Sequence, residues 1–219
     1  MTLREYIRLS SFHDSSDSVI QMALIICDLY DFTHEEIDLN PKLFLKYSKK
    51  VNRVFKKVEK KYLWEWRLFE TEATEITFGQ FIEVQYFLQH GLLDNLHFIA
   101  ASIQKNGSED FKQRAERLLN SNVRSVLPYV KEFLESFQQL ISSYSGLFEK
   151  EEIEEEEELR PAEDVHPFLT QYGWLYSARQ VAKDQGKKLD EAFDMPIMEA
   201  LNTLAYLKSE QSYIKHMSK

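Results

Sequence analysis

The sequence predicts a mainly α protein with a small β element (α+β), made of a helical N-terminal domain and a C-terminal helical pair joined by an acidic linker. Three observations predict it. Apolar residues recur at helical spacing through most of the chain. The period switches to two around Trp64, Trp66 and Leu68. Residues 149–158 hold eight Glu and one Lys, a block that repels itself and resists burial. Six Gly and five Pro are too few for a loop-rich β-sandwich, and a hydrophobic share of 43% is enough for a core.

Each element follows from its own signals. Residues 1–11 put Leu3, Ile7 and Leu9 on one parity and Arg4 and Arg8 on the other, which predicts a short strand. Ser15, Ser16 and Asp17 offer caps for a helix over 18–30. That helix is apolar over most of its girth (Ile20, Leu24, Ile25, Ile26, Cys27, Leu29), so a central position is expected. Thr33-His-Glu-Glu36 reads as a capping box for a short turn. Pro41 opens a long helix to about 61, with Phe44, Tyr47, Val51, Val54, Phe55 and Val58 on its apolar stripe. Its other face holds Lys46, Lys49, Lys50, Arg53, Lys56, Lys57, Lys60 and Lys61 against one acid, Glu59. Over 62–77 the alternation predicts one or two short strands. Thr77-Phe-Gly-Gln80 is a second capping box, opening a helix over 78–89 that Gly91 ends. Asp94 caps a helix over 95–105, Ser108 another to about 119, and Pro128 opens a long helix to 148.

The acidic block divides the chain into a domain over 1–148, a linker over 149–160 and a helical pair over 161–219. The pair runs over 168–184 and 196–217, with Gly186 as the left-handed stop of its first helix. Leu169, Tyr172, Leu175, Tyr176, Ala178 and Val181 are its expected buried residues. Two helices of this size bury little alone, so Trp174, Leu175, Tyr176, Ile197, Leu201, Leu204 and Leu207 are expected to bind a partner.

No chemistry is legible. The single Cys27 lies in the most apolar helix, where a buried thiol is inert, and excludes a disulfide framework. No Gly-x-Ser-x-Gly elbow, Gly-rich phosphate cradle or His-Glu-x-x-His spacing occurs. No enzyme activity, metal or cofactor is therefore expected. The longest apolar run, Met22 to Cys27, is far short of the roughly 20 residues that span a bilayer, and 1–16 carries no signal-like run. No membrane association is expected. The charged face of Lys46, Lys49, Lys50, Arg53 and Lys57 has three readings: a solvated face, a strip for an acidic partner or the chain's own acidic run, and a nucleic-acid contact. The net charge of −9 argues against the last.

Two stretches resemble known proteins. Glu75-Ile-Thr-Phe-Gly-Gln-Phe-Ile-Glu-Val-Gln-Tyr-Phe with Asn95-Leu-His-Phe-Ile-Ala-Ala-Ser-Ile103 resembles a segment of small tail-morphogenesis proteins of tailed bacteriophages. Trp174-Leu-Tyr-Ser-Ala-Arg-Gln-Val-Ala-Lys-Asp-Gln-Gly186, together with Asp194-Met-Pro-Ile-Met-Glu-Ala-Leu-Asn-Thr-Leu-Ala-Tyr-Leu-Lys208, resembles the helical C-terminal piece of phage tail-assembly chaperones. The two cover roughly a third of the chain, and those chaperones are commonly shorter. The resemblance implies a non-enzymatic morphogenesis protein that holds helices of a tail component, such as the tape measure, until assembly. It would act in the host cytoplasm or in the virion, contacting a virion protein or a second copy of itself. The alternatives are a structural virion subunit (neck, baseplate or internal cargo) and a nucleic-acid binder using the helix at 46–61.

Overall fold

Threonine-led capping boxes set where several helices start. In each, the N–H of the third residue donates to the Thr hydroxyl and the Thr N–H donates back to a carboxylate or amide oxygen. The Thr2–Glu5 pair closes at 3.2 and 2.8 Å, Thr33–Glu36 at 3.3 and 2.8 Å, and Thr77–Gln80 at 3.2 and 2.9 Å. The computed structural model describes residues 1–10, 18–38, 40–58, 68–105, 109–148 and 167–218, and these are mostly helical. In chain order the helices are α1 (Leu3–Ser10), α2 (Ser18–Tyr30), α3 (His34–Asp38), α4 (Pro41–Val58), α5 (Phe78–Gln89), α6 (Leu96–Ser102), α7 (Phe111–Leu119), α8 (Leu127–Ser143), α9 (Ser145–Phe148), α10 (Pro167–Asp184), α11 (Leu189–Phe193) and α12 (Ile197–Met217).

Several expectations are corrected. The alternation at the N-terminus is a helix, α1, not a strand. Leu3 and Ser10, seven apart, are both buried with Leu9, a pattern the helical period also satisfies, and the Thr2–Glu5 box decides in favour of the helix. The small β element over 62–77 is not seen among the described residues 68–77; 62–67 lie outside them. Pairing there reduces to isolated antiparallel bridges, Phe69 with Gln104 and Thr77 with Pro196. The first is flanked by the Glu70 N–H donating to Ile103 at 2.8 Å and the Lys105 N–H donating to Leu68 at 2.9 Å, and at the second α5 and α12 begin directly after the bridged residues. The helix expected over 128–148 breaks at Tyr144 into α8 and α9. Asp110, not Ser108, caps α7, accepting from the Lys112 N–H at 3.0 Å. Trp64, Trp66 and the acidic run 149–158 lie outside the described residues.

The chain forms two compact units: residues 1–71 with 86–133, and residues 72–85 with 134–219. This division falls within α5 and α8 rather than at the acidic run. In the first unit, α2 and α4 pack through Ala23, Ile25, Ile26 and Val51, joined by Leu9 and Ile37. Cys27 is half-buried beside this cluster. α2 ends with Asp31 at φ +57°, a left-handed residue that Asp tolerates, and the Phe32 N–H closes onto the Cys27 carbonyl at 3.2 Å. α1 is tied to the α7 end of the unit by the Thr2–Asn122 bridge and the Arg4–Glu116 ion pair at 2.6 Å. Phe69 stacks on the buried Tyr129 with ring centres 5.4 Å apart.

Candidate functional site

The residues singled out on the C-terminal helices belong to the second unit, and their surroundings there are specific. Pro167 begins α10, where a missing N–H is harmless. Gly186, at φ +61°, ends it, with the Lys187 N–H closing back to the Ala182 carbonyl at 2.8 Å. The Lys188 N–H donates to Glu191 at 2.8 Å to start α11, and Pro196 caps α12. The Thr77–Pro196 bridge suits proline. Its hydrogen bonds are made by the flanking groups, Phe78 N–H to Met195 C=O (2.8 Å) and Ile197 N–H to Ile76 C=O (3.0 Å), so no donor is needed at residue 196. Gly79 lets α5 lie on the backbone of α11: a Cβ there would stand 3.1 Å from the Phe193 carbonyl oxygen.

This docking accounts for much of the apolar load. Ile197 and Leu201 are fully buried, and Leu204 and Leu207 are half-buried. Trp174 is half-buried in an aromatic cluster, edge-on to Phe81 at 5.3 Å and to Phe78 at 6.4 Å, with Phe148 also at 6.4 Å. Phe81 in turn meets Phe137 at 5.3 Å. Residues 72–85 and 134–148, assigned by the acidic run to the other domain, thus supply the cover that a helical pair alone lacks. Ile197 and Leu201 are core residues of this unit, and Trp174 is half-buried in its aromatic cluster.

What remains outside is also specific. On α10, Ala178 and Val181 are buried, while Tyr172, Leu175 and Tyr176 are 42%, 40% and 45% exposed, on one face at i, i+3 and i+4. The expectation that these three are buried is corrected: Trp174, Ala178 and Val181 define the inward face. On α12, Tyr206, Tyr213, Ile214 and Met217 are 58–67% exposed. Every residue from Ser209 to Ser218 is exposed. Sequence reasoning missed these four; the signal was the spacing of Tyr206, Tyr213 and Met217, at i, i+7 and i+11 on one stripe. The Tyr206 hydroxyl donates to Glu210 at 3.2 Å, and the Glu210 charge raises the Tyr206 pKa above 10.0.

A cleft of about 630 Å³ opens beside α12, lined by Ser143, Tyr144, Leu147, Ala205, Lys208 and Ser212 among others. Its polar groups are committed to the fold. Tyr144 donates to Asn202 at 2.6 Å and Lys208 to the Gly146 carbonyl at 2.7 Å, while Ser143 donates to its own helix at 2.9 Å. Nothing in it converges on a small ligand.

The second candidate lies in the first unit. Lys46, Lys49, Lys50 and Arg53 are all exposed on α4, opposite Phe44, Tyr47 and Val51. Lys57 is within α4, its side chain outside the described residues. Lys50 stands 4.7 Å from the Tyr47 ring centre and 5.8 Å from that of Tyr30, and Lys46 stands 5.5 Å from Tyr47. Among the described residues no His, Cys, Asp and Glu group could hold a metal, and no helix is long and apolar enough to cross a membrane. The half-buried His97 has its pKa lowered from 6.5, chiefly by desolvation, against the opposing pull of Glu116. Glu116 is itself paired with Arg4, whose charge adds to the lowering.

No protein-family profile, no curated protein and no solved structure matches this chain.

Proposed function

We propose that the chain is a non-enzymatic binding protein of tailed-phage morphogenesis, a tail-assembly chaperone that holds apolar helices of a tail component through α10 and α12. The observation that carries the reading is where exposed apolar surface collects. Among the described residues eleven large apolar side chains are exposed, and seven of them lie on these two helices: Tyr172, Leu175, Tyr176, Tyr206, Tyr213, Ile214 and Met217. The other four, Leu45, Leu68, Tyr86 and Leu92, are scattered along the first unit. Exposed aromatic and aliphatic stripes at helical spacing suit a helix laid alongside, because knobs at i, i+3, i+4 and i+7 seat between those of a partner helix. Tyr and Met are apt for this: large contact area in one, adaptable packing in the other. The phage assignment rests on the resemblance of 75–87, 95–103, 174–186 and 194–208.

The test is to charge the surface and leave the core. Tyr213→Glu with Met217→Glu, and separately Leu175→Glu with Tyr176→Glu, should keep the helical circular dichroism of the wild type. Each pair should lower capture of tape-measure helical segments by about tenfold or more. Undiminished capture by both variants defeats the reading. Mass spectrometry of purified particles separates a chaperone, absent from finished particles, from a structural subunit, which is retained.

A further inference from the structure

We propose that the basic face of α4 docks the acidic run 149–158 of a second copy of this chain. The strip is geometrically continuous. Lys42, Lys46, Lys49 and Arg53 fall within a narrow arc of one helix face, and Lys50 lies beside it. All five are exposed. From Lys42 to Arg53 the strip is about 16 Å long at 1.5 Å per residue. An extended peptide rises about 3.3 Å per residue, so five or six residues cover it and a ten-residue run can extend past it along α4.

The cations are unanswered within their own surroundings. Among the described residues none of Lys46, Lys49, Lys50 and Arg53 pairs with a carboxylate. Two acids of the same helical cluster are engaged with other groups: Asp28 with Arg8 at 2.9 Å, and Glu36 with the Thr33 N–H at 2.8 Å. Stacking like charges at i and i+4, as in Lys42–Lys46, Lys46–Lys50 and Lys49–Arg53, weakens a helix. A face that keeps this arrangement is relieved by an anionic occupant. Two of the cations are also pre-positioned, because the Tyr47 and Tyr30 rings hold the ammonium groups of Lys46 and Lys50 at 4.7–5.8 Å.

Charge complementarity selects the occupant. The run 149–158 carries eight Glu and one Lys, and every copy brings one, so strip and run are always equimolar. A nucleic acid would also meet the cations, but it must approach a chain of net charge −9 whose own acidic run repels it. Because strip and run are different parts of the chain, the contact is head-to-tail, closing as a dimer when two copies exchange runs. It is independent of the apolar stripes of α10 and α12.

Sedimentation velocity of the full chain tests this. At about 50 mM salt the mass should grow with concentration. At about 0.5 M salt, where the Debye length falls below about 5 Å, association should weaken by at least tenfold. The variant Lys46→Glu, Lys49→Glu, Lys50→Glu, Arg53→Glu should remain monomeric, as should a variant with Glu154 to Glu158 each changed to Lys. Mixing the two should restore association, since their charges are complementary again. The milder Lys46→Gln, Lys49→Gln, Lys50→Gln, Arg53→Gln variant serves as the folding control and should also remain monomeric. A wild type that is monomeric at every concentration, association that survives either charge reversal, or a mixture that does not associate overturns the proposal. So does duplex DNA that binds the strip more tightly than a synthetic peptide of residues 149–158.

Discussion

The two halves of α12 make the most instructive contrast in the molecule. Both are rich in apolar side chains, and both belong to one helix about 32 Å long. In the first half Ile197, Ala200, Leu201 and Thr203 are buried, held by the bridge to Thr77. In the second half Tyr206, Tyr213, Ile214 and Met217 stand in solvent. Apolar content therefore does not tell core from exposed surface. The difference lies in what the rest of the unit brings alongside: the 72–85 segment reaches the start of α12, and Tyr144 reaches Asn202. Beyond Lys208 nothing in the described residues covers the helix.

That contrast can be broken from the buried side. Leu201→Asp places an unpaired charge where no water reaches and removes a close-packed side chain. It should destabilise the second unit by about 4 kcal/mol or more, read as a lower urea midpoint and loss of helical signal. A variant that unfolds with wild-type stability would mean that the start of α12 is not core. Thr77→Ala has a smaller effect. It removes the hydroxyl that caps α5 beside the Thr77–Pro196 bridge and should cost about 1 kcal/mol by chemical denaturation.

The exposed side sharpens the same comparison. Tyr213→Ser with Met217→Ser should change stability by about 0.5 kcal/mol or less, since neither side chain is packed, while partner capture falls. A loss as large as that of Leu201→Asp would show that this half is packed after all. The smallest effect expected is a pH response. Glu210 raises the Tyr206 pKa above 10.0, so the unfolded chain ionises there first. The stabilising contribution is fully present below pH 10.0 and is lost as pH rises through the folded pKa. Phenolate titration of the wild type against Tyr206→Phe should show one tyrosine ionising late, and the shift should shrink with added salt.

Much of the candidate site was legible in part and misassigned in part. The spacing of Ile197, Leu201 and Leu204 correctly marked an apolar stripe, and Gly186 and Pro196 marked the helix ends. The inference that two helices could not hide that stripe was sound for two helices. Residues 72–85 and 134–148 also pack on them, and no local signal announces a partner so far away in the chain. The basic face of α4 was the opposite case. Its exposure follows from charge alone, because Lys and Arg are almost never buried unpaired.

What the sequence determined by itself is local. Thr33–Glu36 and Thr77–Gln80 fix helix starts because their side chains reach only the next turn of backbone. Gly91 and Gly186 end helices because their φ of +104° and +61° suits a residue without a Cβ. The 3.6-residue period is plainest in α4, where Phe44, Tyr47 and Val51 lie opposite the charged face. Tertiary structure alone decided which apolar stripes became core. That depends on the pairing of Thr77 with Pro196, on the closeness of Gly79 to Phe193 and on the rings of Phe78, Phe81 and Phe148 around Trp174. The N-terminus is a mixed case, where Leu3, Ile7 and Leu9 by alternation alone suggest a strand. The Thr2–Glu5 capping box, a local signal, favours α1, and the tertiary bridge from Thr2 to Asn122 anchors it. Burial energy is set by which surfaces meet, and a sequence read one segment at a time contains the surfaces but not their meetings.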